Sequence, residues 1–105
     1  MHPFFGSDYM LILISYDVNT QKATGQKRLR RVAKICVNYG QRVQNSVFEC
    51  VLDNAKLSQV RNALLKVIDL KEDTLRLYHL GNNYKEKVEH YGIRPSYDAE
   101  GVIVI

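Results

Sequence analysis

Long apolar runs are missing from this sequence. None approaches the ~18 residues that a membrane-spanning helix requires, and the opening MHPFFGSDY lacks the basic start and apolar stretch of a secretory signal. Cysteine is scarce: Cys36 and Cys50 have no CxxC spacing and no histidine at ligand spacing, and both fall in apolar-periodic segments. They read as reduced core residues of a cytoplasmic protein, not as a disulfide framework. A Gly-rich phosphate loop, a Ser/His/Asp or Cys/His arrangement and a zinc spacing are all absent. The sequence therefore offers no membrane anchor, no zinc module, no nucleotide-binding loop and no nucleophilic triad.

Acidic residues are also missing where they would be expected. Between Val18 and Phe48 there is no aspartate or glutamate, while Lys22, Lys27, Arg28, Arg30, Arg31, Lys34 and Arg42 place seven positive charges there. The rest of the chain holds eight basic and eleven acidic residues, so a net +4 conceals a +7 region and a −3 remainder. A solvated helix face usually mixes both signs. A field this one-sided suits a polyanion such as nucleic acid or a membrane surface. At 105 residues, 46% apolar and 25% charged, the chain reads as one soluble globular domain. A domain of this size buries a modest share of its surface and gains from dimerisation.

Met10 to Ser15 (MLILIS) is a continuous apolar run, which predicts a strand covered on both faces near the middle of a sheet. It ends at Tyr16-Asp17, before a polar loop. From about Gln26 to Asn38 the apolar residues Leu29, Val32, Ala33 and Cys36 fall at helical spacing, with Thr24 as N-cap and Gly40 as the stop. Gln41 to Asp53 alternates as a strand pair broken at Asn45-Ser46. Asp53 or Asn54 caps a second helix running to about Ile68, and Leu75 to Leu80 forms another strand. The order is β-α-β-β-α-β, and one sheet with both helices on one face buries every apolar stripe. This predicts an α+β, ferredoxin-like domain over residues 9–80, after an N-terminal extension at 1–8. The tail, 81–105, ends in the apolar run Val102 to Ile105, which predicts an additional edge strand, within the chain or exchanged with a second subunit.

Asp17 stands at the carboxyl end of a buried strand, beside a segment that supplies only cations. Two readings are open. It is a salt-bridged or turn-forming aspartate, or it is a ligand for a hard divalent ion. Mg²⁺ needs only one or two protein carboxylates, and two copies of Asp17 meeting across a two-fold axis would supply them. Tyr16 points to the opposite face of the strand and, like Phe48, reads as core or as a base-stacking platform, with core favoured.

The segments LILISYDV, RLRRVAKICVNYGQRVQNSVFECVLD, DTLRLYHL and AEGVIVI, in this order, resemble the CRISPR-associated protein 2 family from Tyr9 to Ile105. The combination of SYD, GQRVQ and SVFEC carries the resemblance. It implies a ferredoxin-like homodimer of the spacer-acquisition machinery, partnered by a CRISPR-associated integrase subunit. It implies an endonuclease acting on double-stranded DNA or single-stranded RNA. It places Mg²⁺, or another divalent cation such as Mn²⁺, on Asp17 of both subunits. Contacts to nucleic acid fall by resemblance on Tyr16, Arg31, Arg42 and Phe48, and by charge on Lys27, Arg28 and Arg30. A non-catalytic DNA-binding scaffold bridging integrase dimers stays open as the alternative. An RNA-recognition module is disfavoured, because SVFEC lacks the basic-aromatic signature that module needs.

Overall fold

The structure is a computed structural model, and it describes residues 8–93. The expected strand at the extreme C-terminus and nearly all of the expected N-terminal extension lie outside those residues. The elements are β1 (Met10–Asp17), α1 (Ala23–Tyr39), β2 (Gln41–Gln44), β3 (Val47–Leu52), α2 (Asn54–Val67) and β4 (Thr74–Gly81), followed by a single 3₁₀ turn at Tyr84–Glu86. The strands form one sheet in the order β2-β3-β1-β4. Every neighbouring pair is antiparallel. This is the expected ferredoxin-like α+β topology.

The strand period of two sorts the sheet into two faces. Ile12, Ile14 and Tyr16 of β1, with Phe48, Cys50 and Leu52 of β3, are buried and meet Val32 and Cys36 of α1 and Leu57, Val60 and Leu64 of α2. Ile12, Ile14, Phe48, Val32, Val60 and Leu64 are fully buried, each contributing about 1.5–3 kcal/mol through removal from water. The other face carries Leu13, Ser15 and Asp17, with Val47, Glu49 and Val51 from β3 and Arg76 and Tyr78 from β4. Neither helix packs there. On the helix-free side Leu11 of the apolar run in β1 is also buried, whereas Val51 and Tyr78 are left exposed within the protomer.

Two close approaches fix how α1 joins the sheet. A Cβ on Gly40 would stand 2.3 Å from Cys50 Sγ and 2.4 Å from the Glu49 carbonyl oxygen, so only glycine lets the helix end lie against β3 as the chain enters β2. Its backbone is extended and unstrained. A Cβ on Gly25 would stand 1.8 Å from the Asn19 carbonyl oxygen, so the first turn of α1 seats against the loop that follows Asp17.

The expected start of α1 needs correction. The helix begins at Ala23, Lys22 is the N-cap residue, no side chain caps the first turn, and Thr24 lies inside it. No acidic residue stands in that turn either. Cations near a helix N-terminus oppose its dipole, and here carboxylates come from elsewhere in the chain. In α2 the expected cap is present: the Asp53 side chain accepts from Lys56 N–H at 2.8 Å.

Candidate functional site

Asp17 closes β1 and is exposed on the helix-free face. Its carboxylate makes no salt bridge among the described residues. Ser15 lies opposite Arg76 and Asp17 opposite Thr74, so Arg76 is the diagonal cross-strand neighbour of Asp17 on the same face. Arg76 donates to the Tyr78 hydroxyl at 3.0 Å. Sequence reading passed over Arg76. The alternation of Thr74, Arg76 and Tyr78 against Leu75, Leu77 and His79 was the available signal.

The basic residues of α1 separate into two groups. Lys27, Arg30, Arg31 and Lys34 are all exposed and lie on the helix face opposite Val32 and Cys36. None forms a salt bridge among the described residues, so they make a continuous cationic stripe. Arg28 is different: it is half-buried and engaged within the protomer. Its Nε donates to Asp73 Oδ2 at 2.8 Å and its Nη2 to Asp73 Oδ1 at 3.1 Å. This is the two-pronged geometry that guanidinium and carboxylate favour, and it commits Arg28 to the fold.

Asp73 was not anticipated, although it is the best-partnered carboxylate among the described residues. Besides Arg28 it accepts from the backbone N–H of Asn19 and of Asp69, both at 2.9 Å. The Arg28 hydrogen bond, aided by those from Asp69 and Asn19 and opposed by burial, holds its carboxyl down at about 2. Glu72 takes the Asn19 side-chain amide at 2.9 Å. The turn between α2 and β4 thereby brings acid to the beginning of the +7 segment. The uncompensated charge moves to the outer stripe.

Tyr16, Phe48 and Arg42 converge, but not where a nucleic acid could stack on the rings. Tyr16 is 5% exposed and Phe48 0%, so the core alternative holds for both. Their rings stack with centroids 6.3 Å apart and planes 21° apart. The Arg42 Cζ lies 5.0 Å from the Phe48 centroid, and its charge acts on the Tyr16 phenol. Burial, then the neighbouring Cys36, pushes the Tyr16 phenol above its ordinary value, with Arg42 opposing. Burial likewise pushes the Cys36 thiol up to about 12 and the Cys50 thiol up to about 11. Both stay protonated and unreactive at neutral pH, as expected of core cysteines.

One protomer does not make a closed metal centre: among the described residues no three His, Cys, Asp or Glu side chains cluster as ligands. The donor present at Asp17 is a hard carboxylate oxygen, exposed and, among the described residues, without a salt-bridge partner. That suits an ion that takes one or two carboxylates and keeps its waters. No helix among the described residues is long and apolar enough to cross a membrane.

Residues 10–88 match the family model described as CRISPR associated protein Cas2. The chain is 57% identical over 95 residues to the CRISPR-associated endonuclease Cas2 of Halalkalibacterium halodurans, covering 90% of this chain and 99% of that one. It is 52% identical over 101 residues to the CRISPR-associated endoribonuclease Cas2 of Nitratidesulfovibrio vulgaris, covering 96% and 99%. The crystal structure of Streptococcus pyogenes Cas2 superposes with a TM-score of 0.69 at 52% identity, over 79% of this chain and all of that one. A match to most of the described domain, at these identities and in the same fold, makes this chain a member of the CRISPR-associated Cas2 family.

Proposed function

We propose that the chain is a divalent-metal-dependent endonuclease that works as a homodimer on nucleic acid, within CRISPR spacer acquisition. The observation that carries this reading is the position of Asp17: an exposed carboxylate without a salt-bridge partner among the described residues, ending a central strand, on a sheet face that the protomer's own helices leave uncovered. A second copy placed face to face would cover Val51 and Tyr78 and bring a second Asp17 toward the first. Both relatives named above carry nuclease names, one an endonuclease and one an endoribonuclease. That agrees with phosphodiester hydrolysis and leaves double-stranded DNA and single-stranded RNA as the two substrate classes.

In this reading the two Asp17 carboxylates hold Mg²⁺ or Mn²⁺. Such an ion, when bound, would supply charge stabilisation at phosphorus and a water of lowered pKa. Arg76, diagonal to Asp17 on the same face, neutralises the phosphate that enters. Lys27, Arg30, Arg31 and Lys34 hold flanking backbone on the outer face of α1. Such phosphate contacts set register and carry little base specificity. The partner in the cell is the CRISPR-associated integrase, and the compartment is the cytoplasm.

Asp17→Asn tests this directly. It keeps the side chain's shape and removes its charge. Cleavage of DNA or RNA in Mg²⁺ or Mn²⁺ is expected to vanish, while nucleic-acid affinity in EDTA and thermal stability stay at parent values. Cleavage retained at the parent rate would remove Asp17 from the chemistry. If no metal ion supports cleavage of either substrate by the parent protein, while DNA still binds, the scaffold reading replaces the nuclease.

A further inference from the structure

Tyr16 and Asp17 are consecutive, so their side chains leave the strand on opposite faces. What grips Tyr16 therefore sets where Asp17 points. The grip crosses three strands. Arg42 on β2 pairs with Phe48 on β3. Phe48 pairs with Ile14 on β1, two residues before Tyr16, and the Tyr16 ring closes the row by stacking on Phe48. The backbone is held as well: Tyr16 N–H donates to the Ser46 carbonyl in the β2–β3 turn at 3.1 Å. Strand and ring are thus both fixed one residue before the carboxylate.

Arg42 is poorly arranged for a phosphate. Its Nε is buried and has no hydrogen-bond partner among the described residues, whereas a guanidinium recruited for phosphate presents its fork of donors to solvent. Here the cation lies over the Phe48 ring.

The geometry points to Arg42, Phe48 and Tyr16 as positioning residues that act on the nuclease through the backbone of β1, without touching nucleic acid. This rests on the reading of Asp17 as the metal-holding carboxylate. It predicts that loosening the row weakens metal binding and spares nucleic-acid binding. A core that merely keeps the domain folded would move neither, and a nucleic-acid-binding surface would move only the second.

The experiment uses the full chain and Mn²⁺ alone, followed by the free-ion electron paramagnetic resonance signal without nucleic acid. Arg42→Gln is expected to weaken Mn²⁺ binding about tenfold, the lower end of what losing a supporting partner behind a ligand costs. Tyr16→Phe keeps the ring and loses the phenol, and is expected to weaken binding less. Arg42→Lys, which restores a cationic donor, is expected to recover part of the loss. In EDTA, nucleic-acid affinity and its salt dependence stay at parent values. Unchanged Mn²⁺ affinity in Arg42→Gln and Tyr16→Phe overturns the positioning role. So does a fall in nucleic-acid affinity with a log-log salt slope reduced by about one unit. Asp17→Asn runs alongside: if it binds Mn²⁺ like the parent, the metal reading fails and takes this inference with it. If Asp17→Asn loses Mn²⁺ while the Arg42 and Tyr16 variants do not, only the inference fails. Should Arg42→Gln not fold, Tyr16→Phe decides.

Discussion

Asp73→Asn would remove one charge and nearly nothing of the side chain's shape. In the parent protein the Asp73 side chain is 0% exposed and that of Arg28 16%, so the pair lies in a poorly screened setting. The Asp73 carboxyl is displaced from 3.8 to about 2, first by the Arg28 hydrogen bond. At about 1.4 kcal/mol per unit, ionisation of Asp73 stabilises the folded state by about 2 kcal/mol at neutral pH. The folded value lies below the unfolded one, so this contribution is complete above the unfolded value. It declines as pH falls through 3.8 toward 2, and it is gone below both. Removing one member of a buried pair can cost about 3–5 kcal/mol, because the partner charge is left uncompensated. Asp73→Asn should therefore lose about 2–4 kcal/mol at pH 7, and its deficit should shrink as pH drops toward 2. Urea denaturation at matched protein concentration measures this without screening the pair. A loss under about 0.5 kcal/mol, or a deficit equally large at pH 2 and pH 7, would refute the reasoning, since ordinary surface substitutions stay within that range.

Charge reversal of Arg30 and Arg31 to glutamate should weaken nucleic-acid binding across sequences and lower the log-log salt slope by about 0.9 for each phosphate no longer neutralised; an unchanged slope in fluorescence anisotropy would move the interface off α1. Gly40→Ala places a methyl group against the Glu49 carbonyl and the Cys50 sulfur and should cost about 1–3 kcal/mol by overpacking, read as a lower Tm. A parent-like Tm would show that the α1–β2 junction yields. Val51→Lys puts a charge at a position 45% exposed in the protomer and should leave the fold intact. It should raise the dimer dissociation constant by at least about tenfold, or 1.4 kcal/mol, in sedimentation equilibrium; an unaltered dimer would place the interface elsewhere.

The element order was legible because each apolar stripe keeps its period: Leu29, Val32 and Cys36 at helical spacing, and Val47, Glu49 and Val51 alternating with Phe48, Cys50 and Leu52. The opposed directions of Tyr16 and Asp17 follow from that same alternation. The Arg28–Asp73 pair did not show, because its members stand 45 residues apart and nothing local marks either one. For the same reason the +7 segment looked more uniformly available than it is. Only the folded chain brings Asp69, Glu72 and Asp73 beside the N-terminal end of α1. The fate of Arg42 was equally hidden: a lone arginine at a helix-to-strand turn looks exposed, and only strand pairing reveals the phenylalanine beneath it.

The back-to-back arrangement of positions 16 and 17 makes β1 intolerant of length changes. Deleting or inserting a single residue upstream, with pairing preserved, would swing the carboxylate into the hydrocarbon interior and turn a phenol outward. Replacement in this strand is therefore confined to like for like, and the loop after it is held in turn by Asp73 and Glu72 on Asn19.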